Sequence, residues 1–329
     1  MRRVLLTLAS LLLANAAVAE PAPVRIAYAG RMVTDLDRSV AFYALLGFTR
    51  DPGVDGQWKA DGTARRLFGV NGIETREAVM VSRSNVSLAP FSLRLTEVRG
   101  VSRRDVTVHT PWEPGATHFG LIVPDAQGLW ERLREKGILQ PRSWGGELVA
   151  PPGQSKGMLA YMTDPDGLDI ELIDERPNRP AGVSHMGLIV LDSDRARALY
   201  ETLLGGALQS PEAPWLQGDF YDSAVGGHGN ILRFFNLGFP ETAAKDKRMN
   251  LELVDFQNRK KAVESYRITD RGLGYLALDV PQFDARLAEA RRQGAKLVSR
   301  GVVKLDGNRR AALVRDPDTG AFLLLREAQ

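Results

Sequence analysis

The stretch TDLDRSVAFYALLGF, Thr34–Phe48, decides how the rest of the chain is read. It follows a short apolar strand, Arg25–Val33. Asp35 or Asp37 offers a carboxylate to cap a helix, and Val40, Phe42, Tyr43 and Leu46 recur at helical spacing. Gly47 supplies the left-handed residue on which helices commonly end. The same order of signals returns three times. Strands are expected at Thr117–Val123, Ser184–Val190 and Leu273–Val280, with helices starting near Ala126, Asp192 and Gln282 and running to Gly137, Gly205 and Gly294. Each unit closes on an alternating strand: Phe91–Val98, Leu168–Ile173, Asn250–Phe256 and Ala321–Leu325. Two of these follow turn signals, Asp164-Pro165-Asp166-Gly167 and Asp316-Pro317-Asp318-Thr319-Gly320. The chain therefore reads as four β-α-β-β-β modules in tandem.

Three segments carry a resemblance: TDLDRSVAFYALLGF, LDSDRARALYETLLGG (Leu191–Gly206) and DPDGLDIEL (Asp164–Leu172). The first two resemble the opening, and the third the closing strand, of a vicinal oxygen chelate module. That superfamily includes glyoxalase I, extradiol dioxygenases and bleomycin resistance proteins. The resemblance spans nearly all of the chain after residue 23. It implies an α+β fold in which four βαβββ modules curl into two half-open mixed β-barrels. Modules one and two are expected over residues 24–176, and modules three and four over 181–328. Sequential pairing (one with two, three with four) and nested pairing (two with three, one with four) are both open to such a chain. A shared fold leaves the reaction undecided.

The resemblance also implies two inward positions per module, one on the first strand and one on the last. Counting back five residues from Val33, Val123, Val190 and Val280 gives Tyr28, His118, His185 and Tyr275. The last-strand positions, aligned on Leu-x-Leu patterns, are Arg94, Glu171, Glu252 and Leu324. The chain has four His, and two of them fall on this register. Nested pairing is the one favoured here, since it gathers His118, Glu171, His185 and Glu252 into one cavity and explains the uneven distribution with one assumption. Two imidazoles and two carboxylates suit a divalent ion such as Zn, Ni, Mn or Fe(II). Tyr28, Arg94, Tyr275 and Leu324 are left in a second barrel, where packing is expected to fill the interior.

Such a set points to a metal-dependent glyoxalase-like lyase or isomerase. Its substrate would be a small molecule with two neighbouring oxygens, and its chemistry a metal-stabilised enediolate. Glu171 and Glu252 are the candidate catalytic pair, one as base. An Fe(II) extradiol dioxygenase needs only His118, His185 and one Glu, and is the alternative; the second Glu counts against it. A non-catalytic drug-binding protein of the resistance type is the third reading. His228 in GGHGN reads as an exposed turn residue, and Pro151–Gly157 as a loop at the cavity mouth.

Composition narrows the rest. The chain has 329 residues, 44% hydrophobic and 25% charged, without Cys, so a disulfide scaffold and a disordered chain are excluded. Arg2-Arg3, the apolar run Val4–Leu13 and the small-x-small Ala17-Val18-Ala19 read as a secretory signal over residues 1–19. Its removal would take two of 43 basic residues, leaving 41 against 40 acidic ones. A near-neutral mature chain has no electrostatic reason to bind nucleic acid. A periplasmic or secreted location is expected, with no membrane span and with the oligomeric state, monomer or homodimer, open.

Overall fold

The computed structural model describes residues 24–82, 90–106, 110–114, 117–153, 158–174, 181–204, 207–208, 213–238, 250–259 and 265–329. The expected signal segment, His109, Gly205 and part of the Pro151–Gly157 loop lie outside them. Module one runs β1 (Arg25–Val33), α1 (Leu36–Leu45), β2 (Thr49–Arg50), α2 (Gly62–Leu67), β3 (Glu74–Ser82) and β4 (Phe91–Arg99). Module two runs β5 (Thr117–Val123), α3 (Ala126–Glu135), β6 (Leu159–Thr163) and β7 (Asp169–Asp174). Module three runs β8 (Gly182–Val190), α4 (Ser193–Leu204), β9 (Ala207–Leu208), β10 (Leu216–Gln217), α5 (Asp219–Val225), β11 (Ile231–Gly238) and β12 (Asn250–Phe256). Module four runs β13 (Gly274–Val280), α6 (Phe283–Arg292), β14 (Lys296–Leu297), β15 (Val303–Lys304), β16 (Arg310–Arg315) and β17 (Phe322–Glu327).

The helix starts follow from local chemistry. Asp35 caps α1 by accepting from the Arg38 amide, Asp125 caps α3 by accepting from Gly128, and Asp192 accepts from the amides of Asp194 and Arg195. Gly47, Gly137 and Gly294 all have positive φ just past their helices. Module two departs from the repeat. Between α3 and β6 it makes only the isolated bridges Pro141–Met162 and Val149–Leu159 where a further strand was expected. Pro141 lacks an amide hydrogen, and Gly145 and Gly146 sit at φ 75° and 68°, so this segment cannot sustain a ladder.

Two sheets result. One has the order β14-β16-β17-β13-β1-β4-β3-β2, with β15 on β16, and joins modules one and four. The other has the order β10-β11-β12-β8-β5-β7-β6, with β9 on β11, and joins modules two and three. Within each module the first and last long strands are parallel neighbours. Between modules the seams are antiparallel, β1 on β13 and β5 on β8.

Strand alternation then sorts the side chains. Ala29 and Val33 enter one large core with Phe42, Phe119, Leu121, Trp130 and Leu276, so this core draws on both sheets and their helices. Tyr28 and Met32 face the other way, into a cluster with Phe68, Tyr275, Leu313 and Leu324 inside the first sheet. Ile189, Leu232, Val254 and Phe256 form the corresponding cluster of the second.

Buried polar braces tie the sheets together. The Asp164–Gly167 turn of module two sits against module one. There Asp164 accepts from the Tyr43 hydroxyl at 2.7 Å and pairs with the fully buried Arg31 at 3.3 Å. Asp166 accepts from the Thr34 amide at 2.8 Å and the Ser39 hydroxyl at 3.0 Å. Modules three and four repeat the device. The Tyr200 hydroxyl donates to Asp316 at 3.0 Å, and Arg195 pairs with Asp318 at 2.7 Å. Burial, reinforced by the facing carboxylates, holds both phenols well above their ordinary pKa and therefore protonated. Among the described residues no helix is long and apolar enough to cross a membrane.

Candidate metal centre

The seam between β5 and β8 positions the site. On β5, His118 lies opposite Gly187; on β8, His185 lies opposite Gly120. The glycines are required there. A Cβ on Gly187 would stand 1.9 Å from His118 Cε1, and one on Gly120 would stand 2.2 Å from His185 Cε1. Each imidazole thus lies over the bare backbone of the other strand, and the two rings meet edge to face with centroids 5.3 Å apart. The parallel neighbours β7 and β12 bring Glu171 beside Gly120 and Glu252 beside Gly187.

All four side chains counted out from the sequence meet here. His118 Nε2 and His185 Nε2 are 3.3 Å apart. Glu252 Oε2 is 3.2 Å from His118 Nε2 and 3.8 Å from His185 Nε2, and Glu171 Oε2 is 3.1 Å from His185 Nε2. Ligand atoms of His118, Glu171 and His185 all lie within 4.8 Å of one another. A tetrahedron with arms of about 2.05 Å, ordinary for Zn–N and Zn–O bonds, has edges of about 3.3 Å. The spacing of the His118, His185 and Glu171 donors is compatible with such an ion, Glu252 lies beside both imidazoles, and the nitrogen–carboxylate donor set suits a borderline to hard divalent metal.

Four further residues complete the centre, and counting inward positions did not find them. The Ser184 hydroxyl donates to the Gly120 carbonyl at 3.3 Å and offers its lone pairs to His185 Nδ1 at 3.0 Å. That places the ring proton on Nδ1 and leaves Nε2 bare for a metal. Gly120 and Gly187 were readable as the third residues of His118-Phe119-Gly120 and His185-Met186-Gly187, a spacing that gives the facing imidazole its room. Tyr161, on β6, lies across from Glu171, and its ring meets His118 edge to face at 5.6 Å. Burial, followed by the charges of Glu171, Glu252 and Asp169, pushes its phenol well above the ordinary value of 10. It keeps its proton at neutral pH and can donate a hydrogen bond. No sequence signal marks it, since β6 lacks a distinctive motif. Beside His118 the pocket wall is largely apolar, with Pro111, Ile189, Val225, Val254 and Phe256.

The remaining candidates lie elsewhere. His228 packs against Trp144, and its carbonyl accepts from Arg259, outside the cluster. Tyr28, Arg94, Tyr275 and Leu324 take the equivalent positions of the other sheet: Tyr275 and Arg94 flank Gly30, and Tyr28 and Leu324 flank Ala277. The expectation that packing fills this interior is corrected. Tyr28 and Tyr275 do pack edge to face at 6.0 Å, but a cavity of about 540 Å³ stands over them.

Comparison with known proteins bears on both sheets. Models of the Glyoxalase/Bleomycin resistance protein/Dioxygenase superfamily match residues 25–172 and 184–313. Lactoylglutathione lyase GLX1 of Arabidopsis thaliana is 30% identical over 182 residues, which is 53% of this chain and 52% of the plant protein. A protein named putative lactoylglutathione lyase from Brassica oleracea var. gemmifera is 29% identical over 182 residues, with the same shares. The chain spans about half the length of these curated relatives. Crystalline glyoxalase I from Zea mays superposes with a TM-score of 0.56 at 23% identity, covering 92% of each chain. A mutant of that enzyme gives 0.58 at 22%, again over 92% of each. At these identities the likeness is one of fold.

Proposed function

The chain belongs to the Glyoxalase/Bleomycin resistance protein/Dioxygenase superfamily, and from that premise we propose that it is an exported, metal-dependent, glyoxalase-like lyase or isomerase. The observation that carries this reading is the convergence of His118, His185, Glu171 and Glu252 across the β5–β8 seam. These four residues would hold one divalent ion, which when bound polarises the neighbouring oxygens of a substrate.

Lactoylglutathione, named in the plant relatives, carries a hydroxyl on the carbon next to its thioester carbonyl, so it is the first substrate to try. The residues' part is a proton transfer between adjacent carbons. A carboxylate of Glu171 or Glu252 takes the proton from the hydroxyl-bearing carbon, leaving an enediolate. The same carboxylate returns it to the former carbonyl carbon, while the hydroxyl proton passes to the oxygen that was the carbonyl's. The product is an isomeric hemithioacetal that separates into thiol and 2-oxoaldehyde, and atoms balance without an oxidant. Tyr161, protonated and beside Glu171, is placed to donate to substrate oxygen. The apolar wall of Ile189, Val254 and Phe256 keeps water from the transferred proton.

The test is elemental analysis of protein purified without chelator or His-tag, followed by turnover of lactoylglutathione. About one equivalent of Zn, Ni, Mn or Fe per chain with thioester loss supports the reading. A chain that takes up no metal on reconstitution refutes it, and oxygen uptake with a catechol would replace it by the dioxygenase. Export rests on the pattern of residues 1–19 and predicts that protein recovered from the periplasm or medium begins at Glu20.

A further inference from the structure

The cavity of the other sheet has the attributes of a built site. Its floor carries Tyr28 with two guanidinium groups against its ring, Arg94 at 5.0 Å and Arg326 at 5.1 Å. Arg94 is paired with Glu77 at 3.1 Å. Arg326 and Arg309 depend on one carboxylate, Asp279, at 3.0 and 2.9 Å, and Arg25 draws on it as well at 3.0 Å. Asp279 is 2% exposed, and the side chains of Arg309 and Arg326 are 10% and 15% exposed. Arg25 is half exposed to solvent, so beneath the cavity two guanidinium groups share one buried anion. The contacts are also poorly aligned: Arg309 Nη2 and Arg326 Nε make no hydrogen bond despite their closeness to Asp279. Buried guanidinium groups in that condition gain from an added oxyanion.

Two further observations define the ligand. The volume, about 540 Å³, suits a small organic molecule and is far more than an inorganic anion fills. Val54, Leu67, Phe68 and Leu305 make part of the lining apolar, whereas Asp55, Asp61, Glu77 and Asp306 also line the space. Those carboxylates oppose a multiply charged ligand. We infer that the sheet of modules one and four holds a second ligand site, one that takes a small organic monocarboxylate with an apolar body. Its carboxylate faces Arg94, Arg309 and Arg326, and its body lies on Leu67 and Phe68. The site needs no metal, and it stands independently of the chemistry proposed for the His/Glu centre.

Titration calorimetry on the full chain tests this with 3-phenylpropionate as probe, beside its uncharged primary amide and inorganic phosphate. One molecule per chain is expected to bind, with the amide and phosphate at least about tenfold weaker because each loses one of the two recognition elements. Arg94→Gln should weaken the carboxylate about tenfold. Thr63→Trp, at a lining residue without charge, should block it. His118→Ala should leave it unchanged. Thermal unfolding of each variant without ligand shows whether it folds, and Thr63→Trp decides the matter if Arg94→Gln does not. No binding, equal binding of the amide, preference for phosphate, or loss in His118→Ala with retention in Thr63→Trp would each overturn the inference.

Discussion

Glu171 and Arg94 stand at the same place in two sheets of one chain. Each sits on the closing strand of its module, parallel to the first strand and beside a glycine, Gly120 or Gly30. Across the seam that glycine faces an aromatic ring, His185 in one sheet and Tyr275 in the other. The backbone frame is the same, and the chemistry is opposite: two imidazoles among carboxylates, or two phenols among guanidinium groups. The frame determines where four side chains meet. Their identities determine whether the meeting point attracts a cation or an anion.

Breaking the comparison at the ligands should have the largest effect. His118→Ala or His185→Ala removes a donor from the centre; metal affinity should fall by at least about 100-fold, read by elemental mass spectrometry, and turnover should vanish with it. Glu171→Gln and Glu252→Gln are next. The variant that removes the base should lower kcat about 10²–10⁴-fold, and comparing kcat with metal content in the two variants tells base from ligand.

The glycines sharpen the comparison. Gly187→Ala would force its Cβ into the His118 ring and should cost about 10–100-fold in metal affinity. Gly30→Ala meets the Tyr275 ring at 2.1 Å; it should lower stability by about 1–3 kcal/mol in denaturant titration while leaving metal content unchanged.

The smallest effects belong to the braces that the two halves share. Tyr43→Phe and Tyr200→Phe each remove a buried donor from a buried Asp and should cost about 1–3 kcal/mol, a few degrees in Tm, with the metal retained. Their pH dependence has a defined sign. Both phenols titrate higher in the folded chain than in the unfolded one. Their contribution is complete below about pH 10 and is lost as pH rises above it, so the wild-type Tm should fall more steeply there than that of the double Phe variant.

Much of this was legible locally. The first and last strands of every module and the Asp caps of α1 and α4 follow from apolar alternation and helix-start chemistry, and the four inward residues of each sheet from the resemblance, by counting along those strands. The helix α2 escaped because Gly62–Leu67 is too short to show a period; its start depends on Asp61, whose carboxylate accepts from the amides of Thr63 and Ala64. Ser184 and Tyr161 escaped because their roles depend on atoms of other strands. The open interior beside Tyr28 escaped because residue type does not reveal whether neighbouring side chains reach far enough to close a space.

The sequence by itself determined four modules and the face on which His118, Glu171, His185 and Glu252 lie, because strand alternation and helix periodicity are local properties. Only the tertiary structure decided which modules share a sheet. β1 pairs with β13 at the far end of the chain, and β5 pairs with β8, through backbone hydrogen bonds that any strand of suitable length can make. Local pattern therefore carries no record of the partner. At the seams so formed, rings lie over glycine: His185 over Gly120 and His118 over Gly187 in one sheet, Tyr275 over Gly30 in the other.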